Sequence, residues 1–332
     1  MALWGNGDAN SDEMAATASA STDAAMASAS TDAAEAARPL RFQLLNLPAV
    51  LIQCVAEAML AREYAAFSQL CIACHAAAAG AVHAVVPAEM AHRLQLGKRI
   101  GNAICEKYPA PVVPAGIDSI DQFAFDDCTA LTSVVLHPGV LHIRHGAFRA
   151  CTSLRACAMQ PGSCVGIGER AFLNCSALVT IVLPDSCLCI GPRAFCHCHA
   201  LASITLAASL TEIGDSAFES CESLTVVTIP DGVAHIDYGT FAHCTSLAIV
   251  NLPAHLASID MYSFMNCVAL ESIAVPDSVE SIEELAFCAC KALRSVTLPE
   301  RVVIIRNAFE GCTALDAPSR ERIRAICPDA VF

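Results

Sequence analysis

Large apolar side chains recur along residues 105–315 at a nearly fixed interval. A phenylalanine returns every 22 to 24 residues, with a cysteine three positions after it and a leucine six positions after it. The nine phenylalanines are Phe125, Phe148, Phe172, Phe195, Phe218, Phe241, Phe264, Phe287 and Phe309. A period of this length with the same residue types indicates one structural unit that is stacked many times.

The spacing inside the unit predicts its local structure. Apolar residues at nine and eleven positions after each phenylalanine alternate with small residues, which is typical of a short strand. A proline often follows, and it ends the strand because it has no N–H to donate. A V-x-x-I segment predicts a second short strand, and A-F-x-x-C predicts a tight helical turn. Since no unit can bury its apolar face alone, we predict an α/β repeat solenoid with parallel strands.

The flanks of the repeat have a different composition. Residues 1–37 are mostly Ala, Ser, Thr and Asp, which predicts a disordered low-complexity tail. Residues 38–108 show apolar spacing near 3.6 and predict a small helical module. Residues 109–316 hold the repeats, and residues 317–332 predict a C-terminal cap. There Ser319 is the expected helix N-cap, and Ile323 and Ile326 are expected to cover the last unit.

The repeated pattern A-F-x-x-C-x-x-L-x-x-[VI]-x-[LI]-P-x-x-[VL]-x-x-I resembles the leucine-rich repeats of the BspA-like class over about residues 105–315. The unit from Phe148 departs from the pattern, with Cys157 and Met159 at aliphatic positions and one extra residue. The resemblance implies a right-handed leucine-rich-repeat coil. It also implies a protein-interaction scaffold that is not a catalyst, often on the cell surfaces of bacteria and protists.

The helical module has a second, shorter resemblance, to an F-box. The matching positions are Leu47, Pro48, Leu51, Val55, Leu60, Tyr64, Phe67, Leu70 and Cys71. The resemblance implies a substrate receptor of a ubiquitin ligase that binds a Skp-type adaptor through Leu47, Pro48, Leu51, Val55 and Leu60. The alternative is a helical cap that shields the first unit, because stacked arrays need capped ends.

Charge and chain ends narrow the classes of function. The formal net charge is −14 at pH 7, and the 19 basic residues are scattered. Nucleic-acid surfaces need clustered Lys and Arg, so no nucleic-acid partner is expected. No secretory signal is visible, and the uncharged stretch 70–88 is too rich in alanine to predict a membrane span. We therefore expect a cytoplasmic or nuclear protein, with a cell-surface adhesin or interaction protein as the alternative.

The 20 cysteines allow three interpretations. Packing is preferred, because cysteine is small, apolar and commonly buried. Stacked units would bring the thiols within disulfide range, whereas one column of thiols does not make a tetrahedral zinc cage. The densest cluster of potential ligands is Cys196–His199, and Cys71–His75 matches the C-x-x-C-H spacing of haem attachment. We predict no metal and no cofactor at these places.

Motifs that would support catalysis are missing from the sequence: it contains no H-E-x-x-H, P-loop or Ser, His and Asp set. The carboxylates Asp126 and Asp127 are expected on exposed turn positions. We therefore predict a non-catalytic scaffold that binds a protein through the outward strand positions, which are small and weakly polar. The candidate residues are Thr132, Val135, Thr180, Val182, Ser203, Thr205, Thr225, Thr228, Asn251, Glu271, Arg294 and Thr297.

Overall fold

The computed structural model describes residues 88–332, which contain three helices and seventeen short strands. The helices are α1 Ala88–Gln95, α2 Asn102–Lys107 and α3 Ala317–Ile326. The strands are β1 Ser119–Ile120, β2 Ser133–Leu136, β3 His142–Ile143, β4 Ala156–Met159, β5 Gly166–Ile167, β6 Thr180–Val182, β7 Cys189–Ile190, β8 Ser203–Thr205, β9 Glu212–Ile213, β10 Val226–Thr228, β11 His235–Ile236, β12 Ile249–Asn251, β13 Ser258–Ile259, β14 Ser272–Ala274, β15 Ser281–Ile282, β16 Ser295–Thr297 and β17 Val303–Ile304. The expected adaptor-binding residues Leu47, Pro48, Leu51, Val55 and Leu60 lie outside the described residues.

The strands form two series of parallel ladders, which confirms the predicted solenoid. Even-numbered strands come from the L-x-x-V-x-L segment of each coil and pair only with even-numbered strands. Odd-numbered strands come from the V-x-x-I segment and pair only with odd-numbered strands. Partners are one repeat apart, as in Ile181 with Ile204 and Ile190 with Ile213. The sequence period therefore becomes the register of the ladders.

The turns that carry A-F-x-x-C stack into a third column, which we call the turn column. Its phenylalanines are at most 1% exposed, and neighbouring rings stack with centroids 5.0 to 5.5 Å apart and planes within 12° of parallel. Parallel rings at this separation are offset, which is a favourable geometry for aromatic pairs. Backbone bonds also join the turns, as from Phe218 N–H to Thr240 O at 2.9 Å.

The turn itself is not helical, so that part of the sequence prediction is wrong. In the coil of Phe218, Ser216 and Ser220 have φ values of 52° and 58°, in the left-handed region. A residue in that region interrupts a right-handed helix. Both residues are held by the next coil, because their N–H groups donate to Tyr238 O at 2.7 Å and Ala242 O at 2.8 Å.

Helix α3 follows the last coil, and its N-cap is Asp316, not the expected Ser319. The Asp316 side chain accepts from Ser319 N–H at 2.9 Å, and this bond lowers the pKa of the Asp316 carboxyl. Ser319 is buried, and its hydroxyl accepts from Val296 N–H at 3.0 Å, on the last even strand. Ile323 is fully buried against the core and Ile326 is half-buried. The cap therefore satisfies a backbone group that a further coil would otherwise bind.

The first coil is incomplete at its N-terminal end. Its odd strand, β1, pairs normally with β3, but its even strand is reduced to one bridge between Val112 and Val135. Helix α2 stands where a turn would be and buries Cys105, and α1 buries Met90 and Leu94. These two helices are the described part of the predicted helical module, and they agree with a cap on the solenoid.

Candidate protein-binding face

The outward side of the even strands forms one continuous candidate surface, which we call the strand face. In β10, β12, β14 and β16 the middle residue is buried and its two neighbours are exposed. Successive side chains of a strand point to opposite faces, so one apolar residue enters the core and the flanking positions meet solvent. In β6 and β8 the outward positions are less exposed. The face is therefore most open over its C-terminal half.

Eleven of the twelve candidate face residues are at least partly exposed, and one is buried. The exposed ones are Thr132, Thr205, Thr225, Thr228, Asn251, Glu271, Arg294 and Thr297, and the half-buried ones are Thr180, Val182 and Ser203. Val135 is only 7% exposed, so its placement on an accessible face is wrong. The physical reason is the incomplete first coil: Val135 bonds to Pro111 O and accepts from Val113 N–H, so residues 111–113 run alongside it.

The middle of the strand face carries an exposed apolar pair. Val226 on β10 and Ile249 on β12 are opposite each other in register and are 42% and 52% exposed. A groove of about 610 Å³ opens on the β8 side of Val226. Its apolar lining includes Ile204, Leu206 and Ile229. The sequence pattern also predicts outward positions for Val226 and Ile249, but only their polar neighbours are among the candidate residues.

Polar side chains on the strand face bond mainly to each other. The Thr180 and Ser203 hydroxyls are 3.1 Å apart, and the Asn251 amide donates to the Thr228 hydroxyl at 3.0 Å. Formal charge among the candidate residues is confined to Glu271 and Arg294, toward the C-terminal end. A weakly charged face with small side chains allows the backbone of a partner to approach closely.

The cysteines of the turn column are hydrogen-bond donors. The thiol of Cys244 donates to Phe218 O of the preceding coil at 3.1 Å. Equivalent bonds of 3.0 to 3.3 Å are made by Cys151, Cys175, Cys198, Cys221, Cys267, Cys290 and Cys312. These eight thiols are fully buried. They therefore add a bond between coils to the packing that the sequence predicted.

Burial also favours the protonated form of several of these thiols. Removal from solvent raises the pKa of the Cys267 thiol to about 12, and it raises the pKa of Cys175, Cys221 and Cys244 well above the ordinary value. Metal ligation and nucleophilic attack need the thiolate. Among residues 88–332, the seventeen cysteines are free thiols, and no group of three or more His, Cys, Asp or Glu side chains is placed to hold a metal.

A charged cluster lies at the N-terminal end, where sequence reasoning placed a solvated carboxylate. Asp126 is only 5% exposed and pairs with both Arg99 at 2.9 Å and Arg149 at 2.7 Å. The Arg149 guanidinium also lies over the Phe123 ring, 5.2 Å from its centroid. The expectation for Asp126 is therefore wrong, because two arginines from other segments cover it; Asp127 is exposed as expected.

The described helices include none that is long and apolar enough to cross a membrane.

Comparison with known proteins returns similar solved structures. Similar solved structures include a leucine-rich repeat protein of T. pallidum, 26% identical over 68% of this chain and 87% of that one, with a TM-score of 0.45. Another is a leucine-rich repeat protein of Bacteroides ovatus, 22% identical over 70% of this chain and 86% of that one, with a TM-score of 0.38. No curated protein matches the chain.

The family comparison covers the repeats as a whole. The model for the BspA type leucine rich repeat region matches six copies over residues 103–225 and 211–325. These ranges take in the turn column, both strand series and most of α3, and they amount to more than half of the 332 residues. The chain therefore belongs to the BspA type leucine rich repeat family.

Proposed function

We propose that the chain is a non-catalytic scaffold that binds another protein through the strand face. The observation that carries the proposal is the exposed pair Val226 and Ile249 in the middle of a weakly polar surface. Contiguous exposed apolar side chains rimmed by polar ones are typical of protein interaction sites. Stacked repeats present such surfaces over a long distance, which supports a protein partner.

The test compares the full chain with a double variant, Val226→Asp with Ile249→Asp. A control variant, Tyr238→Asp, changes a side chain that is 47% exposed but lies outside the strand face. The wild type and the control should crosslink the same proteins in cells of the source organism. The amount of these proteins that the double variant crosslinks should be at least about tenfold lower, which corresponds to a loss of about 1.4 kcal/mol in binding. Equal capture by all three proteins would contradict the proposal.

We further propose that the chain is a substrate receptor of a ubiquitin ligase. The support is the F-box resemblance from Leu47 to Cys71, which lies outside the described residues. The full chain is co-expressed with a Skp-type adaptor and analysed by size-exclusion chromatography. Co-elution that is lost with Leu47→Asp and Leu51→Asp, and kept with the Val226→Asp and Ile249→Asp variant, is expected. A folded chain that does not bind the adaptor would contradict the substrate-receptor proposal and would leave the strand-face proposal unaffected.

We propose a cytoplasmic or nuclear location, because a substrate receptor has to meet its adaptor there. Fractionation of the source cells and labelling of intact cells with a membrane-impermeant reagent test this location. Protein found only in the soluble cytoplasmic or nuclear fraction is the expected result. Labelling of the chain on intact cells would favour the adhesin alternative, and the strand face would then be its candidate contact surface.

A further inference from the structure

The coils of the solenoid are joined by links that can be compared from one junction to the next. Three links complete a typical junction besides the turn column: the even ladder, the odd ladder and a corner hydroxyl. Between the coils of β6 and β8, both ladders are paired. At the corner, the Ser209 hydroxyl donates to Cys187 O at 2.9 Å.

One junction lacks all three links. The even sheet β2-β4-β6-β8 ends at β8, and the next even sheet begins at β10. The odd sheet β1-β3-β5-β7-β9 ends at β9, and the next begins at β11. The corner position is Gly232, which has no hydroxyl; a Cβ added there would lie 2.6 Å from Leu210 O. Within residues 88–332, this is the single junction at which both ladders are interrupted.

The neighbouring junctions show that the interruption is local. Between β12 and β14 the even ladder is also interrupted, but the odd ladder β13-β15 is paired and the Ser278 hydroxyl donates to Leu256 O at 2.6 Å. Between β10 and β12 both ladders are paired. There Ala257 N–H donates to Ala234 O at 2.7 Å and Asp260 N–H donates to Ile236 O at 2.9 Å.

The turn column is continuous across the weak junction. Phe195 N–H donates to Ala217 O at 2.8 Å, and the rings of Phe195 and Phe218 stack with centroids 5.4 Å apart. The thiol of Cys221 donates to Phe195 O at 3.3 Å. The turn side of the junction is therefore fastened. Next to it, the Ser223 N–H and hydroxyl donate to His199 O at 3.2 and 2.7 Å, but the two ladders themselves are not paired.

Carboxylates lie on both sides of the odd strand β11. The half-buried Asp237 follows β11, and burial, Asp260 of the next coil and Asp215 and Glu212 of the preceding coil raise its pKa to about 6, although His235 beside it acts in the other direction. The largest of the carboxylate effects comes from Asp260, across the paired ladder, so charge repulsion is not what distinguishes the open ladder from the closed one.

We propose that this junction is a hinge, at which the coils of β8–β9 and β10–β11 separate as a unit about the turn column while the other junctions stay closed. The proposal follows from the missing links and from the continuous turn column. It does not depend on the proposed function, because it concerns the opening of the fold itself. Opening would change the width of the groove between β8 and β10.

Hydrogen exchange of the full chain at neutral pH tests the hinge. The informative amides are Ser223, which donates to His199 O across this junction at 3.2 Å, and its counterpart Ser246, which donates to Glu222 O across the next junction at 3.2 Å. We expect the Ser223 amide to exchange at least about tenfold faster than the Ser246 amide, because local opening breaks its bond. Equal protection at the two junctions would overturn the proposal.

A disulfide staple tests whether opening of the junction causes the faster exchange. Ser203→Cys with Val226→Cys, joined by oxidised glutathione, fastens β8 to β10; Val226→Cys with Ile249→Cys fastens the paired strands β10 and β12 as the matched control. The first staple is expected to slow exchange of the Ser223 amide to the rate of the Ser246 amide, and the control is expected to leave it fast. Unchanged exchange with the first staple would overturn the hinge. If a staple prevents folding, the wild-type comparison decides.

Discussion

The turn column and the strand face belong to the same coils, yet they differ in how far their residues vary. Every described coil from Phe125 onward repeats phenylalanine and cysteine in the turn column, and these side chains are fully or almost fully buried. The strand face alternates Thr, Ser, Val, Ile, Asn, Glu and Arg at equivalent positions. A buried side chain in a stacked array contacts the equivalent side chains of the coils before and after it, so its size and its hydrogen-bond donor are fixed. An exposed position meets solvent and is free to differ.

Replacing a ring of the turn column should have the largest effect. Phe218 is fully buried between Phe195 and Phe241, with centroids 5.4 Å away on both sides. Phe218→Ala should lower the free energy of unfolding by about 3–5 kcal/mol, because it removes apolar contacts and leaves a cavity. Urea unfolding of the full chain measures the loss. Tyr238→Ala at an exposed position is the control, and a similar loss for both would erase the contrast between buried column and surface.

Replacing a cysteine of the turn column should have a smaller effect that depends on the hydrogen bond. Cys244 is fully buried and its thiol donates to Phe218 O, which also accepts from Cys221 N–H at 3.1 Å. Cys244→Ala should cost about 1–2 kcal/mol, since it removes one buried group and one donor. Cys244→Ser keeps a donor and should cost less. If the serine variant were the less stable of the two, packing alone would explain the cysteine.

Asp237 lies between the two extremes, because it is half-buried, and its effect should depend on pH. Its pKa of about 6 in the folded protein is above the ordinary value of 3.8. The stability that the neutral carboxyl contributes is therefore complete below pH 4 and is lost as pH rises through about 6. Asp237→Asn should match the wild type at pH 4 and exceed it by about 1 kcal/mol at pH 8, after allowance for solvent screening.

Unfolding by urea at pH 4, 5, 6 and 8 measures this difference. Asp231→Asn, at an exposed position of the same coil, is the matched control and should show no such trend. A stability difference between Asp237→Asn and the wild type that stays constant over this pH range would mean that the carboxyl is not perturbed by its neighbours.

The repeating core could be predicted from the sequence because its cause is local and periodic. Alternation around Ile204 and Val227 predicts a strand wherever it occurs, and the spacing of Phe218 and Phe241 fixes the stack. What could not be predicted depends on partners far along the chain. Asp126 looks like any turn carboxylate until Arg99 and Arg149 cover it.

The ends and the interruption escaped prediction for the same reason. Val135 fits the repeat pattern of an outward position, but the incomplete first coil buries it. Ser319 fits a helix N-cap, but a nearby strand offers Val296 N–H, and Asp316 takes the cap. The interrupted ladders beside β10 leave little trace in the residue pattern except Gly232 at the corner, where other units often have serine. Each case is decided by a neighbour that periodicity does not reveal.

The smallest effect is expected on the strand face, from Thr228 and Asn251. Their side chains share a hydrogen bond of 3.0 Å across β10 and β12, and both are exposed. Thr228→Ala and Asn251→Ala should each change the free energy of unfolding by no more than about 0.5 kcal/mol. The double variant should reveal a coupling energy of only about 0.2–0.5 kcal/mol between the two side chains, because water replaces the lost partner at an exposed cross-strand pair. Urea unfolding of the four proteins measures this coupling. A coupling above about 1 kcal/mol would show that the face stabilises the fold, and its residues would then not be free to vary for binding.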